Sequence, residues 1–155
     1  MLTPLKKQKI RRSRGSFAII ASRYNGRYVD AMVAAAQHEL KEAGATKIRV
    51  IRVPGAFEIP AVAARLARAR PPCSALICLG VILRGQTSHA QQIADAVSGA
   101  LAQLQIQHAL PVIHEVLLLD NEAQAVVRCL DKQHNRGAEA SQTALEMTRI
   151  MASLP

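Results

Sequence analysis

Two rhythms of apolar residues alternate along the chain. Phe17-Ala18-Ile19-Ile20-Ala21-Ser22 is a continuous apolar run, closed by polar residues and Gly26, as expected of a strand buried on both faces. From Tyr28 to Ala43 the pattern changes: Val29, Met32, Val33, Ala36, Leu40 and Ala43 recur at steps of three and four, and Gly44 stands where a helix C-terminal cap belongs. Lys47 to Val53 is rich in β-branched residues and reads as a strand despite Arg49 and Arg52, with Pro54-Gly55 ending it. Pro60 can open a helix that continues from Ala61 to Arg70 and stops at Pro71-Pro72, and Ala75 to Leu79 is a third strand.

Gly80 to Ser88 reads as a loop, and a helical pattern then runs through about Leu104. Pro111 to Leu118 is a fourth apolar strand, and two helices, near Glu122 to Leu130 and Gly137 to Ser153, complete the order. Strand and helix alternate throughout. Parallel neighbours need crossovers, and crossover helices bury both faces of a sheet, so the expected class is α/β, a mostly parallel sheet between two helical layers.

Length and charge refine this picture. At 155 residues and 50% hydrophobic, the chain suits one compact domain. The net charge of +9 is uneven: Lys6, Lys7, Lys9, Arg11, Arg12 and Arg14 contribute six positive charges before residue 15, leaving 14 basic against 11 acidic residues elsewhere. Residues 1–15 are read as a basic tail and 16–155 as the folded domain. A tail of this kind could touch RNA, but the body shows no aromatic-rich binding surface, so nucleic acid is not the expected partner. No apolar run approaches the ~20 residues of a membrane span, and none follows the basic residues as in a secretory signal. A soluble cytoplasmic protein is expected, with no membrane partner. Cys73, Cys78 and Cys129 lack close spacing and are read as core thiols rather than as a disulfide framework or a metal site.

Ligands of open parallel sheets bind beyond the carboxyl ends of the strands, which directs attention to Ser22–Gly26, Pro54–Glu58 and Gly80–His89. Tyr24, one of four aromatics in the chain, could stack on a heterocycle or pack over the sheet end. Glu58 enters a helix after Gly55; it could accept polar hydrogens from a ligand or act only as a favourable N-terminal charge. The segment Arg84-Gly85-Gln86-Thr87-Ser88-His89 joins a strand to a helix N-terminus. Its exposed amides and Thr87 would suit a phosphate, and His89 can move protons near neutral pH. By itself the loop fits no nucleotide-binding fingerprint.

The longer segments are more specific. Val53-Pro54-Gly55-Ala56-Phe57-Glu58-Ile59-Pro60, followed by Leu79-Gly80-Val81-Ile82-Leu83-Arg84-Gly85-Gln86-Thr87-Ser88-His89, resembles the two signature segments of the 6,7-dimethyl-8-ribityllumazine synthase family at their usual separation. The resemblance continues through Arg23-Tyr24-Asn25, Pro111-Val112-Ile113, Arg128, Asn135-Arg136-Gly137, Glu139 and Ala144-Leu145-Glu146-Met147, covering about Phe17 to Met151.

That resemblance implies a flavodoxin-like subunit with a four-stranded parallel sheet, assembled as a homopentamer or an icosahedral 60-mer with active sites between neighbouring subunits. It implies a transferase of riboflavin biosynthesis that joins a ribitylaminopyrimidine to 3,4-dihydroxy-2-butanone 4-phosphate without cofactor or metal, with riboflavin synthase as a further partner. Tyr24 matches the aromatic that stacks on the pyrimidine. Ala56 and Glu58 match positions that bind the pyrimidine and its ribityl chain, and Val81 and Ile82 match backbone contacts to it. Gly85, Gln86 and Thr87 match the phosphate loop, Arg128 a phosphate-binding arginine from the adjacent subunit, and His89 the proton-transfer residue.

Departures accompany the match. Ala90-Gln91-Gln92 replaces the usual aromatic and acidic residues after the histidine. His114 stands where an aromatic from the neighbouring subunit lines the pyrimidine site, Leu118-Leu119 replaces a threonine pair, and Arg136, a further candidate site residue, replaces a lysine. No residues are inserted between Arg128 and Asn135, as in shell-forming members. These departures leave a second reading open: a catalytically weakened homologue acting as a shell or flavin-binding scaffold.

Overall fold

The computed structural model describes residues 12–155; most of the expected basic tail lies outside them. Four strands, β1 (Ser16–Ser22), β2 (Lys47–Val53), β3 (Ala75–Leu83) and β4 (Val112–Leu119), form one parallel sheet in the order β2-β1-β3-β4. Helices α1 (Gly26–Glu42), α2 (Ile59–Ala67) and α3 (His89–His108) are the crossovers, and α4 (Glu122–Ala125) and α5 (Arg136–Ser153) follow the last strand. The fold is flavodoxin-like α/β.

Alternation along the central strands sorts the core into two layers. Phe17, Ile19, Ala21, Ile77 and Leu79 face α1 and α5. Ala18, Ile20, Leu76 and Cys78 face α2 and α3. Both faces of β1 and β3 are therefore covered, which is why these strands read as unbroken apolar runs. Burying each of Ile19, Ile20, Leu76, Ile77 and Leu79 completely contributes about 1.5–3 kcal/mol relative to exposure.

Strand β2 lies at the sheet edge and tolerates charge. Arg49 is exposed, while Arg52 donates to the Ser22 carbonyl over 2.9 Å and meets Asp30 of α1 at 2.6 Å. Helix α1 ends as its pattern predicts: Gly44 takes φ 81°, its N–H donates to Lys41, and the Ala45 N–H donates to Leu40, a Schellman-type stop. The Asn135 side chain accepts from the N–H groups of Gly137 and Ala138 to start α5, and donates to the Cys129 carbonyl. Cys78 and Cys129 are buried, and burial pushes both thiols up to about 12; Cys73 is only half-buried.

Several boundaries differ from the sequence reading. Strand β3 does not stop at Leu79: Gly80–Leu83 stays in register with Val116–Leu119, because Val81, Ile82 and Leu83 remain apolar enough to continue a central strand. Helix α2 begins after a tight turn at Ala56–Glu58 and ends at Ala67; Pro71 and Pro72 bias the residues before them away from helical geometry. The helix expected over Glu122–Leu130 is a short α4 followed by a wider π turn, Val126–Leu130, closed by the Asp131 N–H on the Val126 carbonyl. Helix α3 runs on to His108, beyond the expected end near Leu104.

Candidate active site

The chain leaves β1 toward β2 on one side and leaves β3 toward β4 on the other, so a crevice opens between the carboxyl ends of the two central strands. A cavity of about 950 Å³ lies there. Four segments form it.

The first segment follows β1. The Arg23 N–H donates to the Val53 carbonyl and the Tyr24 N–H to that of Pro54, drawing the exits of β1 and β2 together. Asn25 then adopts left-handed geometry at φ 55° and donates from Nδ2 to the Val81 carbonyl over 2.7 Å. Tyr24 is left 74% exposed at the cavity rim, where an aromatic face is open to a planar ligand.

The second segment is the turn after β2. The Gly55 N–H donates to Glu58 Oε2 over 2.9 Å, so one carboxylate oxygen orders the turn while the exposed side chain stays in the cavity wall. Ala56 is buried beneath it, and Phe57 is 61% exposed beside it. The third segment is the end of β3, where Val81, Ile82 and Leu83 form the cavity floor.

The fourth segment is the loop Arg84–Ser88 with the start of α3. Gly85 and Thr87 line the cavity, and His89, the first residue of the helix, joins them. Ser88 does not cap the helix with its hydroxyl, and the first turn holds no acidic residue. The positive end of this 20-residue helix carries no acidic residue in its own first turn, an arrangement that favours an anion. Among the described residues, the side-chain contact to the first amide is a long one of 3.4 Å, from the His89 N–H to Thr87 Oγ1.

The family model described as 6,7-dimethyl-8-ribityllumazine synthase matches residues 14–152. The chain belongs to the 6,7-dimethyl-8-ribityllumazine synthase family. Proteins of that name from Stenotrophomonas maltophilia (strain R551-3) and Xylella fastidiosa (strain M12) are each 40% identical to it over 141 residues, covering 90% of this chain and 90% and 91% of theirs. One from Kineococcus radiotolerans is 40% identical over 143 residues, covering 89% of this chain and 88% of its own. Riboflavin biosynthesis, transferase chemistry, small-molecule substrates and an oligomeric assembly go with membership of the lumazine synthase family.

Within one subunit the cavity gathers Tyr24, Ala56, Glu58, Val81, Ile82, Gly85, Thr87 and His89. Gln86 belongs to the same exposed loop but does not line the cavity. His114, Arg128 and Arg136 lie elsewhere, on β4, the π turn and the first turn of α5. There the Val116 N–H donates to His114 Nδ1 over 3.2 Å, so Nε2 carries the proton of the neutral ring and faces Ser98 Oγ at 2.7 Å. Burial pushes the pKa of His114 down, which favours the neutral imidazole.

On the opposite face of β4, buried Glu115 meets Arg136 Nε at 3.1 Å, and Arg136 also pairs with Glu139 at 2.5 Å. Burial pushes the Glu115 carboxyl up to about 7 against the pull of Arg136 and Arg128. Sequence reasoning passed over Glu115, and also Asn25, Phe57, Ile93 and Ala96 of the cavity wall. Ile93 and Ala96 follow His89 at helical steps of four and three, a signal that the pattern did contain. Of the departures after the histidine, Ala90 and Gln92 line the cavity and Gln91 turns away to Arg84. Among the described residues, no three His, Cys, Asp or Glu side chains gather as a metal site, and no helix is long and apolar enough to cross a membrane.

Proposed function

We propose that this chain uses the cavity at the β1/β3 switch point to condense 5-amino-6-(ribitylamino)pyrimidine-2,4-dione with 3,4-dihydroxy-2-butanone 4-phosphate. The observation that carries this assignment is the meeting, in one open cavity, of an exposed aromatic, a carboxylate, a helix N-terminus with no acidic residue in its first turn, and an imidazole. Tyr24 stacks on the pyrimidine, and Glu58 with the backbone around Ala56, Val81 and Ile82 holds the ring and its ribityl chain. Gly85, Gln86 and Thr87 receive the phosphate. His89 moves the protons.

The 5-amino nitrogen attacks the ketone, and loss of water gives an imine. A proton leaves the adjacent carbon as the carbon–oxygen bond to phosphate breaks, and inorganic phosphate departs. Tautomerisation then exposes a second carbonyl, which the ribitylamino nitrogen attacks to close the ring with loss of a further water. Holding both substrates in reactive geometry can contribute up to ~7–11 kcal/mol of the barrier reduction, and an oriented general base typically adds ~100- to 10,000-fold.

Arg128 and His114 complete a neighbour's cavity in this reading, Arg128 reaching its phosphate, while Arg136 stays a further candidate site residue. Their separation from the cavity of their own subunit supports that division, as does the exposure of Val126 and Val127 on the π turn beside Arg128. The uninterrupted turn from Arg128 to Asn135 supports a shell of twelve pentamers; a cytoplasmic location and riboflavin synthase as the partner that consumes the product belong to the same reading. A mass near that of a lone pentamer in dilute buffer argues against the shell.

The test mixes the purified chain with both substrates and follows lumazine absorbance and phosphate release, with His89→Ala and Arg128→Ala alongside. Product formation slowed by both substitutions supports the assignment. No product from a folded oligomer supports the scaffold reading instead.

A further inference from the structure

The loop Arg84–Ser88 is exposed throughout, and a Cβ added at Gly85 would meet nothing within 4 Å. Packing does not hold its shape. Among the described residues, the side chain that reaches across it is that of Arg84. Arg84 sits at the end of β3, with its N–H on the Leu119 carbonyl. Its Nε donates to Asp120 Oδ1 over 3.0 Å, just past the end of β4, and its Nη2 donates to Gln91 Oε1 over 3.0 Å, in the first turn of α3.

Both acceptors are themselves oriented. Gln91 donates from Nε2 to Asp95 Oδ1 over 2.8 Å, which turns its carbonyl oxygen toward Arg84. Asp120 receives Gln124 Nε2 on its other oxygen at 3.3 Å, while its N–H donates to Gln124 Oε1. One planar guanidinium thus ties the start of the loop to its end and both to the edge strand. A fork of donors in fixed geometry suits this task, and a lysine ammonium, a single point charge, does not.

We propose that Arg84 is a positioning residue for the anion-binding loop: by bridging Asp120 and Gln91 it fixes the path of Gly85–Ser88 and the direction of the loop amides. Its charge is directed at Asp120 and Gln91 rather than at ligand, so it acts through the loop. The proposal rests on the reading of this loop as the phosphate site. Exposed pairs add little to global stability, about 0.2–1 kcal/mol each, so the effect belongs in ligand affinity and not in the melting temperature.

The experiment compares the full chain with Arg84→Gln, Arg84→Lys, Gln91→Ala and the double variant Arg84→Gln/Gln91→Ala. It measures KM for each substrate, kcat, Tm, and the affinity for inorganic phosphate by calorimetry. Arg84→Gln should raise the KM for the phosphate-bearing substrate and the Kd for inorganic phosphate by roughly 3- to 10-fold, the span of one ordinary hydrogen bond lost indirectly through the loop. The KM for the pyrimidine and Tm should not move. Lysine, which keeps the charge but not the fork, should restore little of the affinity, and the double variant should be no weaker than Arg84→Gln, because both changes cut one linkage. Equal rises in both KM values, an unchanged phosphate affinity, or additive losses would overturn the proposal. Phosphate binding that depends on Arg84 in a chain without turnover would sustain the clamp and count against the catalytic assignment instead.

Discussion

Asn25 and Val81 stand 56 residues apart, yet the Asn25 Nδ2 donates to the Val81 carbonyl over 2.7 Å. The side chain that could cap α1 at its start is used to join the exits of the two central strands. The left-handed backbone of Asn25 is what aims it there, and asparagine tolerates that region better than most residues. Asn25→Ala loses the bond and strains the backbone, and should destabilise the fold by about 1–3 kcal/mol. Asn25→Gly relieves the strain and should cost less than alanine. Urea midpoints for the two variants check the order, and alanine as stable as glycine would contradict it.

Helix α5 crosses α1 at Gly137, where a Cβ would come within 2.0 Å of the Met32 carbonyl oxygen and 2.6 Å of its carbonyl carbon. The obstacle is backbone and cannot rotate away. One turn along, Ser141 Oγ donates to the Ala36 carbonyl over 2.9 Å, so the helices cannot simply slide apart. Gly137→Ala should cost about 3 kcal/mol or more, in the range of overpacking combined with a broken buried contact. A variant with the parent's denaturation midpoint would refute this.

Glu115 gives the stability of the fold a dependence on pH. Burial outweighs the attraction of Arg136 and raises its carboxyl from 4.5 to about 7, with Glu139 adding to the rise and Arg136 and Arg128 opposing it. The folded state therefore keeps a proton that the unfolded chain has released. Stability from this group is full below about pH 4.5 and declines as pH rises through about 7. Glu115→Gln, which cannot ionise, should flatten the fall in unfolding free energy between about pH 5 and pH 8. An unchanged slope would show that the carboxyl does not titrate there.

His89 lines the cavity from the first position of α3 and makes no side-chain hydrogen bond within the described residues. Its removal should leave the fold intact and touch chemistry alone. His89→Ala is expected to keep the parent's Tm and assembly while slowing lumazine formation by ~100- to 10,000-fold. Parent-like turnover would assign proton transfer to another group or to solvent.

Most of the architecture was legible because it is written in periods. A run of β-branched and apolar residues between turn signals identifies a strand, and a three-and-four step identifies a helix, without knowledge of any partner. The two signature segments around Glu58 and His89 were legible for a related reason: each is continuous in sequence and lies at the end of a strand. The same local reading set the end of β3 four residues short, because it took Gly80 as a break; only pairing with Val116–Leu119 holds that glycine in the strand.

Other features depend on groups that the chain brings together from far apart. Sequence alone determined that this is an α/β sheet protein and which family motifs it carries, and it directed attention to the strand ends, where the cavity lies. Tertiary structure decided that Asn25 bridges β1 to β3, that Arg84 reaches both Asp120 and Gln91, that His114 faces Ser98 in one tautomer, and that Glu115 is buried against Arg136. The physical reason is that a period-two pattern states that neighbouring side chains take opposite faces but not what waits on each face. The hydrogen-bond partner, the protonation state and the reach of a side chain are set by atoms tens of residues away, and those are fixed only once the sheet order is.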